Sequence, residues 1–144
     1  MINSILVPID DSDHACKALD LASEIAVKHD ARVHLLHAVA DRVPSQGERD
    51  FARFEHIEGP LDQILYAGQL LMARARSRAL ANGVKDVEWA VVPGDPAQLI
   101  IERSKDFDII VMGRRGLGPF GALLQGSVSQ KVNQLTDVAC LTVK

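Results

Sequence analysis

The most constraining feature of this sequence is a regular alternation of short apolar runs with stretches of helical spacing. In residues 14–29, for example, Ala15, Leu19 and Ala22 recur at steps of three or four, which places them on one face of a helix. Strands that alternate with helices indicate a parallel sheet with helices on both faces. The apolar runs predicted as strands are residues 2–9, 32–39, 87–92, 107–112 and 138–143.

Capping and turn residues mark where the predicted helices begin and end. Asp95 followed by Pro96 indicates a helix start, since proline favours the first helical position. Pro60 opens a longer helix, which closes at Gly83. Residues 40–59 are charged and are predicted as a loop, although three apolar residues there have helical spacing.

We predict the strand order 3-2-1-4-5, because right-handed crossovers leave few arrangements for five parallel strands. Ligands of open α/β sheets bind beyond the carboxyl ends of the strands, where the strand order reverses. That point lies between the first strand, which ends near Asp10, and the fourth, which ends near Gly113. The fold class is therefore α/β, an open five-stranded parallel sheet of Rossmann-like type.

The composition is that of an ordinary globular domain. The 144 residues fit a single domain spanning 1–144, and 47% of them are hydrophobic, which suffices for a core. A net charge of −3 without runs of Lys or Arg argues against nucleic-acid binding.

No apolar segment has the length of a signal peptide or membrane span, so we expect a cytoplasmic protein. Cys16 and Cys140 lack metal-binding spacing, and we expect two buried, reduced thiols.

A glycine-rich segment follows the fourth predicted strand. Residues 113–129 contain five of the ten glycines in the chain. Glycine permits positive φ and close backbone approach, so that exposed N–H groups can cradle anionic oxygens. The last predicted helix begins in this segment, and a helix N-terminus favours phosphate. Arg114 and Arg115 add positive charge. The glycines, the helix start and the two arginines together indicate a site for the phosphates of a nucleotide.

Three nucleotide-binding patterns can be compared with this segment. The P-loop spacing occurs between Gly121 and Ser127 but lacks the required lysine, and we reject it. The pattern G-x-G-x-x-G occurs at 116–121, but it follows the wrong strand and Pro119 interrupts it, so we attribute the match to chance. The third pattern, G-x2-G-x9-G-[ST], is matched by Gly113, Gly116, Gly126 and Ser127.

With this third pattern, the chain resembles the universal stress protein family, specifically its ATP-binding branch. The resemblance covers nearly the whole length. Ile-Leu-Val-Pro-Ile-Asp-Asp-Ser at 5–12 is similar to the family's first strand and turn, and Leu-Leu-His-Ala-Val at 35–39 to its second strand. The segments at 94–96 and 108–113 also stand in the order that the family pattern implies.

The resemblance implies where a nucleotide binds. Adenine and ribose would lie at the ends of the first two strands, and the phosphates on the glycine-rich segment and the start of the last helix. A Mg²⁺ or Mn²⁺ ion would be held mainly by the phosphates, with no metal site made by protein side chains alone. The residues implied at the nucleoside end are Pro8, Ile9, Asp10 and Ala38. Those implied at the phosphate end are Met112, Gly113, Arg115, Gly116, Gly126, Ser127, Val128 and Ser129.

The resemblance also implies a homodimer formed through the last strand, residues 138–143. Two features depart from the family pattern. The last strand lacks the proline that often opens it, and the Arg114–Arg115 pair is more basic than in many relatives.

Several candidate residues also have purely structural interpretations. Ser127 and Gln130 have the spacing of a capping box for the last helix. Asp10 can cap the first helix or bind ribose, and we expect it to face the ligand because Asp11 and Ser12 are available as caps. Met112 is interpreted as a residue packed in the core. His34 and His37 are also interpreted as core residues, with hydrogen-bonded rings that lie on one face of their strand.

The leading hypothesis is a nucleotide-dependent regulatory module of the stress response that binds ATP. A second hypothesis is an ATP hydrolase or phosphotransferase, but no base is evident, so we expect any hydrolysis to be slow and predict no catalytic residue. A nucleotide-free dimeric interaction protein and a flavin or dinucleotide carrier remain as alternatives. We expect valine at Gly113 or Gly126 to abolish ATP binding while leaving the fold, because its side chain blocks backbone approach to phosphate.

Overall fold

The computed structural model describes residues 1–40, 42–114 and 127–144. Strands and helices alternate as predicted, with one additional helix. None of the helices in these ranges is long and apolar enough to cross a membrane. The elements in chain order are β1 (Ser4–Pro8), α1 (Asp13–His29), β2 (Arg32–Val39), α2 (Gln46–Phe54), α3 (Pro60–Ala81), β3 (Val87–Pro93), α4 (Pro96–Ser104), β4 (Ile109–Gly113), α5 (Ser127–Leu135) and β5 (Ala139–Val143).

The strands form one parallel sheet in the order β3-β2-β1-β4-β5. This confirms the predicted order 3-2-1-4-5. The register places Leu6 of β1 beside His34 of β2 and Ile110 of β4, so β1 is the central strand. The strand order reverses between β1 and β4, which puts the predicted crevice at the carboxyl ends of these two strands.

Helices cover both faces of the sheet, as the apolar strands require. On one face, Leu19 of α1 and Met72 of α3 belong to one buried apolar cluster with strand side chains. On the other face, Ile100 of α4 and Val132 of α5 belong to a second cluster. Because successive residues of a strand point to opposite faces, the central strands are buried on both sides, which explains their unbroken apolar sequences.

The predicted helix ends are confirmed by capping contacts. The Ser12 hydroxyl accepts the Ala15 amide at 3.2 Å at the start of α1. The Asp95 carboxylate accepts the Gln98 amide at 2.9 Å at the start of α4. Gly83 follows α3 with a φ of +95°, a left-handed conformation that glycine adopts without steric cost.

The prediction of a loop over residues 40–59 is wrong, because α2 lies within this range. Ser45 and Glu48 form a capping box, in which the Ser45 amide donates to the Glu48 carboxylate at 2.7 Å. Arg42 donates to both oxygens of that carboxylate at 2.8 and 2.7 Å. This guanidinium is the main reason that the pKa of Glu48 falls from 4.5 to about 2. The Ser-x-x-Glu spacing was the sequence signal for this helix start.

The two histidines of β2 differ in part from the expectation. They are three residues apart and lie on opposite faces, with His34 beside Phe107 and His37 beside Gly68, so the expected shared face is wrong. The ring of His37 is hydrogen-bonded, as expected. The Nε2 atom of His34 is buried and has no hydrogen-bond partner among the described residues. Burial lowers the pKa of His34, against the opposing effect of the Glu88 carboxylate.

Both cysteines are free thiols, as expected, but they differ in exposure. Cys16 is exposed, because the buried face of α1 is formed by residues such as Ala15 and Leu19, so the expected burial is wrong there. Cys140 in β5 is partly buried, and this burial raises the pKa of its thiol to about 11. Cys140 is therefore uncharged at neutral pH and a poor nucleophile.

Candidate functional site

The crevice lies between the carboxyl ends of β1 and β4, which are neighbours in the sheet. β1 ends at Pro8 and β4 ends at Gly113. α1 begins at Asp13, shortly after β1, so its N-terminus lies at this end of the sheet. The N-terminus of α5, at Ser127, is brought to the same end by contacts with β4 that are described below.

Beyond the end of β1, the backbone of Ile9 makes two different contacts with β2. The Ile9 amide donates to the Leu36 carbonyl at 2.8 Å, as in a regular ladder. The Ile9 carbonyl, in contrast, lies 2.7 Å from the ring nitrogen Nδ1 of His37. Because a carbonyl oxygen only accepts hydrogen bonds, this contact assigns a proton to Nδ1.

Ala38 follows His37 and presents its backbone to the crevice. The Leu36 carbonyl faces β1, where it accepts the Ile9 amide, whereas the Val39 carbonyl faces β3 and accepts the Gly94 amide at 3.0 Å. Since backbone groups of successive strand residues alternate in direction, the N–H and C=O of Ala38 face the β1 side. The described residues show no backbone hydrogen bond from the Ala38 amide to the Ile9 carbonyl. A donor and an acceptor therefore border the crevice side by side.

Asp10 stabilises the turn that leads from β1 into α1. Its carboxylate accepts the Ser12 amide at 3.1 Å and also the Ser12 hydroxyl. Ser12 in turn caps α1, so of the two residues predicted to be available as caps, Asp11 and Ser12, it is Ser12 that makes the contact. Asp10 thus supports the cap of α1 through Ser12, and its contact with a ligand stays a prediction.

Gly113 lies directly against the first turn of α1. A Cβ atom at this position would be 2.8 Å from the backbone carbonyl carbon of His14 and 2.9 Å from the amide nitrogen of Ala15. Such distances are too short for any side chain, so the close packing of β4 on α1 requires glycine here. The expectation that valine at Gly113 leaves the fold intact is therefore wrong.

Hydrogen bonds tie the start of α5 to the end of β4. The Arg114 amide donates to the Val143 carbonyl of β5 at 2.7 Å. The Arg114 carbonyl accepts the Ser129 hydroxyl at 2.8 Å, and Ser129 is only 4% exposed. The N-termini of α1 and α5 consequently both lie beside the end of β4. Each presents the positive end of a helix dipole and amide N–H groups that lack helical partners.

The other predicted site residues differ in what they can offer a ligand. Ile9 and Met112 have buried side chains in the two core clusters, as expected for Met112, which leaves their backbone for ligand contact. Val128 also packs against the core. Ser127 is the first residue of α5, whereas a capping box with Gln130 requires it to precede the helix. The predicted residues that lie outside the described ranges are Arg115, Gly116 and Gly126.

His37 is a crevice residue that sequence reasoning placed only in the core. Its ring is partly buried and reaches the backbone at Ile9. The available signal was a polar side chain near the carboxyl end of an apolar strand that borders the predicted crevice. Among the residues that the structure describes, no three His, Cys, Asp or Glu side chains are grouped so as to hold a metal ion.

Comparisons with known proteins identify the family to which this sequence is similar. The model of the universal stress protein family matches residues 1–144. The chain is 32% identical to the universal stress protein YxiE of Bacillus subtilis over 149 residues, which covers 100% of both chains. It is 37% identical over 134 residues to a universal stress protein of Thermus aquaticus, covering 92% of this chain and 91% of that one.

Solved structures of similar proteins share the fold. UspA of Lactobacillus plantarum matches with a TM-score of 0.79 at 23% identity, over 99% of this chain and 98% of that chain. A universal stress protein in complex with cAMP matches with a TM-score of 0.70 at 26% identity, over 99% and 97%. One from Archaeoglobus fulgidus in complex with dAMP matches with a TM-score of 0.70 at 19% identity, over 100% and 98%. With its full-length family match and its 32% identity to a full-length relative, this chain belongs to the universal stress protein family.

Proposed function

We propose that this protein binds ATP in the crevice between β1 and β4 and acts as a nucleotide-dependent regulatory module of the stress response. The observation that carries the proposal is the convergence of the N-termini of α1 and α5 on the end of β4. Helix N-termini attract phosphate through their free N–H groups and their dipole. The sequence that joins β4 to α5 has the G-x2-G-x9-G-[ST] pattern, whose glycines suit a backbone that approaches phosphate.

Two structural relatives support an adenine nucleotide as the ligand. One relative was solved with cAMP and another with dAMP. Both ligands contain adenine and a single phosphate group. The choice of ATP for this chain comes from its glycine pattern, which resembles that of the ATP-binding branch of the family. The experiment must therefore compare ATP with the monophosphates.

In this proposal, adenine binds at the β1–β2 end of the crevice. The Ala38 amide donates to a ring nitrogen of adenine, and the Ala38 carbonyl accepts from the 6-amino group. The direction of these backbone groups toward the β1 side supports the assignment. Pro8, Ile9 and Asp10 lie where β1 leads into α1, on the opposite side of the base and ribose.

The phosphates bind at the other end, beside β4 and the start of α5. We assign this role to the backbone of Met112 and Gly113, to Arg115, Gly116 and Gly126, and to residues 127–129. A Mg²⁺ or Mn²⁺ ion is proposed to accompany ATP through the phosphate oxygens.

We also propose a cytoplasmic homodimer of single-domain chains, paired through β5. β5 is the edge strand next to β4, and edge strands present backbone groups that can pair with a second chain. Leu141 in β5 is 41% exposed, which is an apolar side chain suited to such an interface. Nucleotide-dependent changes at α5 would reach this edge through the Arg114 contacts with Val143 and Ser129.

The proposal is tested by identifying the nucleotide and measuring its affinity. Mass spectrometry of the freshly purified, denatured protein should detect ATP or ADP near one per chain. Calorimetric titration of the stripped protein with ATP and Mg²⁺ should then give tighter binding than titration with cAMP or dAMP. Tighter binding of a monophosphate would assign the protein to a different ligand, and no binding of any of the three would contradict the proposal.

The glycine pattern is tested with Gly126→Val and a matched control. Gly47 in α2 has no atom within 4 Å of a Cβ placed on it, so Gly47→Val controls for replacing glycine by valine. We expect Gly126→Val to weaken ATP binding by about a hundredfold or more, because several phosphate contacts depend on this backbone. Gly47→Val should bind ATP like the wild type. Equal ATP affinity of the two variants would show that the pattern does not bind phosphate.

A further inference from the structure

His37 makes a contact that a purely apolar core residue would not make. Its Nδ1–H donates to the carbonyl oxygen of Ile9 at 2.7 Å, at the point where the chain leaves β1 for the crevice. The contact is made from β2 to β1 by a side chain, whereas the adjoining Ile9 amide bonds to the backbone of Leu36. The His37 side chain therefore takes the place of one backbone hydrogen bond in the regular ladder between β1 and β2.

The ladder hydrogen bond that His37 replaces is the one that the Ala38 amide would donate. In a parallel ladder, a residue that donates to one residue of the neighbouring strand accepts from the residue two positions further along it. Ile9 donates to Leu36, so its carbonyl would ordinarily accept the amide of Ala38. With His37 on that carbonyl, the described residues show no such bond, and the Ala38 amide remains directed at the crevice.

The ring of His37 is held in this position by close packing on its other side. A Cβ atom on Gly68 of α3 would lie 3.0 Å from Cδ2 of His37 and 3.1 Å from Cγ1 of Val91. Gly68 is buried, and its missing side chain leaves the space that the imidazole needs. The ring is thus confined between α3 and the backbone at Ile9.

We propose that His37 is a positioning residue for base recognition. By donating to the Ile9 carbonyl, it keeps the Ala38 amide and carbonyl available to the adenine of a bound nucleotide. This inference rests on the proposed function of the crevice and deepens it, since it assigns base selectivity to one side chain that itself does not touch the ligand. The phosphate end of the site is independent of His37.

The experiment uses two substitutions of His37 and two ligands. His37→Leu keeps the bulk but removes the donor, whereas His37→Asn keeps a donor near the Nδ1 position. Affinities for ATP and for inorganic triphosphate are measured by calorimetry. We expect His37→Leu to weaken ATP binding by about tenfold, because the Ala38 amide and carbonyl would no longer be placed to bond adenine. Binding of triphosphate should stay within about twofold of the wild type. His37→Asn should retain ATP binding within about threefold.

Hydrogen exchange of the Ala38 amide gives a readout that does not depend on any ligand. In the nucleotide-free wild type this amide should exchange quickly, and in His37→Leu it should become protected by the Ile9 carbonyl. Gly68→Ala, which pushes on the ring without removing it, should shift ATP affinity in the same direction as His37→Leu. This third variant keeps the test possible if His37→Leu does not fold.

The outcomes separate this inference from the proposed function. If the wild type binds no nucleotide, the proposed function fails, while the Ala38 exchange rates still test the His37 contact. The inference is overturned if His37→Leu binds ATP like the wild type, or if ATP and triphosphate weaken equally. It is also overturned if His37→Asn behaves like His37→Leu, or if the Ala38 amide is already protected in the nucleotide-free wild type.

Discussion

The two ends of the crevice are built in opposite ways. At the β1–β2 end, His37 donates a hydrogen bond to the Ile9 carbonyl, and the backbone groups of Ala38 face the crevice. At the β4 end, the backbone is already packed or bonded, since Gly113 abuts α1 and Arg114 is bonded on both its amide and its carbonyl. The β1–β2 end offers the backbone groups of one strand residue, whereas the β4 end combines a packed junction with two helix N-termini.

Because of this difference, we expect the β1–β2 end to determine the selectivity for the base and the β4 end to contribute to the stability of the fold. Substitutions at the β1–β2 end should change which base is bound, because the groups there are open to the ligand. Substitutions at the β4 end should first change the free energy of unfolding, because the same residues hold α1, α5 and β5 on the sheet. Three experiments test this division and a fourth tests the start of α2, in order from the largest expected effect to the smallest.

The β4 end should be intolerant of even a methyl group at Gly113. We expect Gly113→Ala to lower the free energy of unfolding by about 2 kcal/mol, since overpacking against fixed backbone costs about 1–3 kcal/mol. The backbone atoms that the new Cβ would meet belong to His14 and Ala15. Urea unfolding followed by circular dichroism measures the change.

Gly47→Ala is the matched control for Gly113→Ala. It has open space around the added carbon and lies inside α2, where alanine favours the helix. We expect it to leave stability unchanged or raise it by about 0.5–1 kcal/mol. If both alanine variants unfold alike, Gly113 is not a packing glycine.

The β1–β2 end should discriminate between adenine and hypoxanthine. Inosine triphosphate presents a carbonyl where ATP has an amino group and an N–H where ATP has a ring acceptor, so both Ala38 contacts would be mismatched. We expect about tenfold weaker binding of inosine triphosphate, equivalent to about 1.4 kcal/mol. Competition calorimetry measures the ratio, and equal affinities would place the base elsewhere.

Loss of the Ser129 hydroxyl should loosen the junction of α5 with β4. Ser129→Ala removes the donor to the Arg114 carbonyl in a buried setting, and we expect it to lower the free energy of unfolding by about 1 kcal/mol. Ser127→Ala, at the exposed start of α5, is the control and should be near neutral in stability. An unfolding midpoint that is unchanged in Ser129→Ala would contradict the proposed junction.

The smallest effect concerns the Arg42–Glu48 pair at the start of α2, which follows the β2 end of the crevice. The pKa of Glu48 is lowered from 4.5 to about 2, so its charge stabilises the fold above the unfolded pKa and this contribution is lost as the pH falls toward 2. Because Arg42 is 46% exposed, solvent screening limits the gain to about 0.5 kcal/mol.

Glu48→Gln keeps the side-chain shape and capping oxygen but removes the charge. It should unfold more readily than the wild type at neutral pH, and the two should converge as the pH falls through the acid range. A stability difference that is independent of pH would show that the charge of Glu48 is not responsible.

Local pattern predicted much of this fold. The bounds of β2 were predicted at 32–39 and observed there, because a mainly apolar run between polar turns is a local signal. The caps at Ser12 and Asp95 were likewise readable from neighbouring residues. The strand order followed from the handedness of crossovers, which holds for parallel sheets in general.

Contacts between distant segments were not predictable in the same way. Gly113 matched a phosphate-binding pattern, but its packing on His14 depends on how β4 meets α1. The bond from His37 to Ile9 joins two strands at a register that the sequence does not specify. α2 was missed for a different reason: its charged composition favoured a loop, and the Ser45–Glu48 capping box was overlooked.

The most direct test of ATP binding in the crevice follows the backbone amides of ¹⁵N-labelled protein during a titration with ATP and Mg²⁺. We expect the amides of Ala38 and of residues 127–129 to shift together and to saturate at one ATP per chain, because one nucleotide spans both ends of the crevice. Shifts confined to other parts of the surface, or saturation of only one of these two groups of amides, would contradict binding in this crevice.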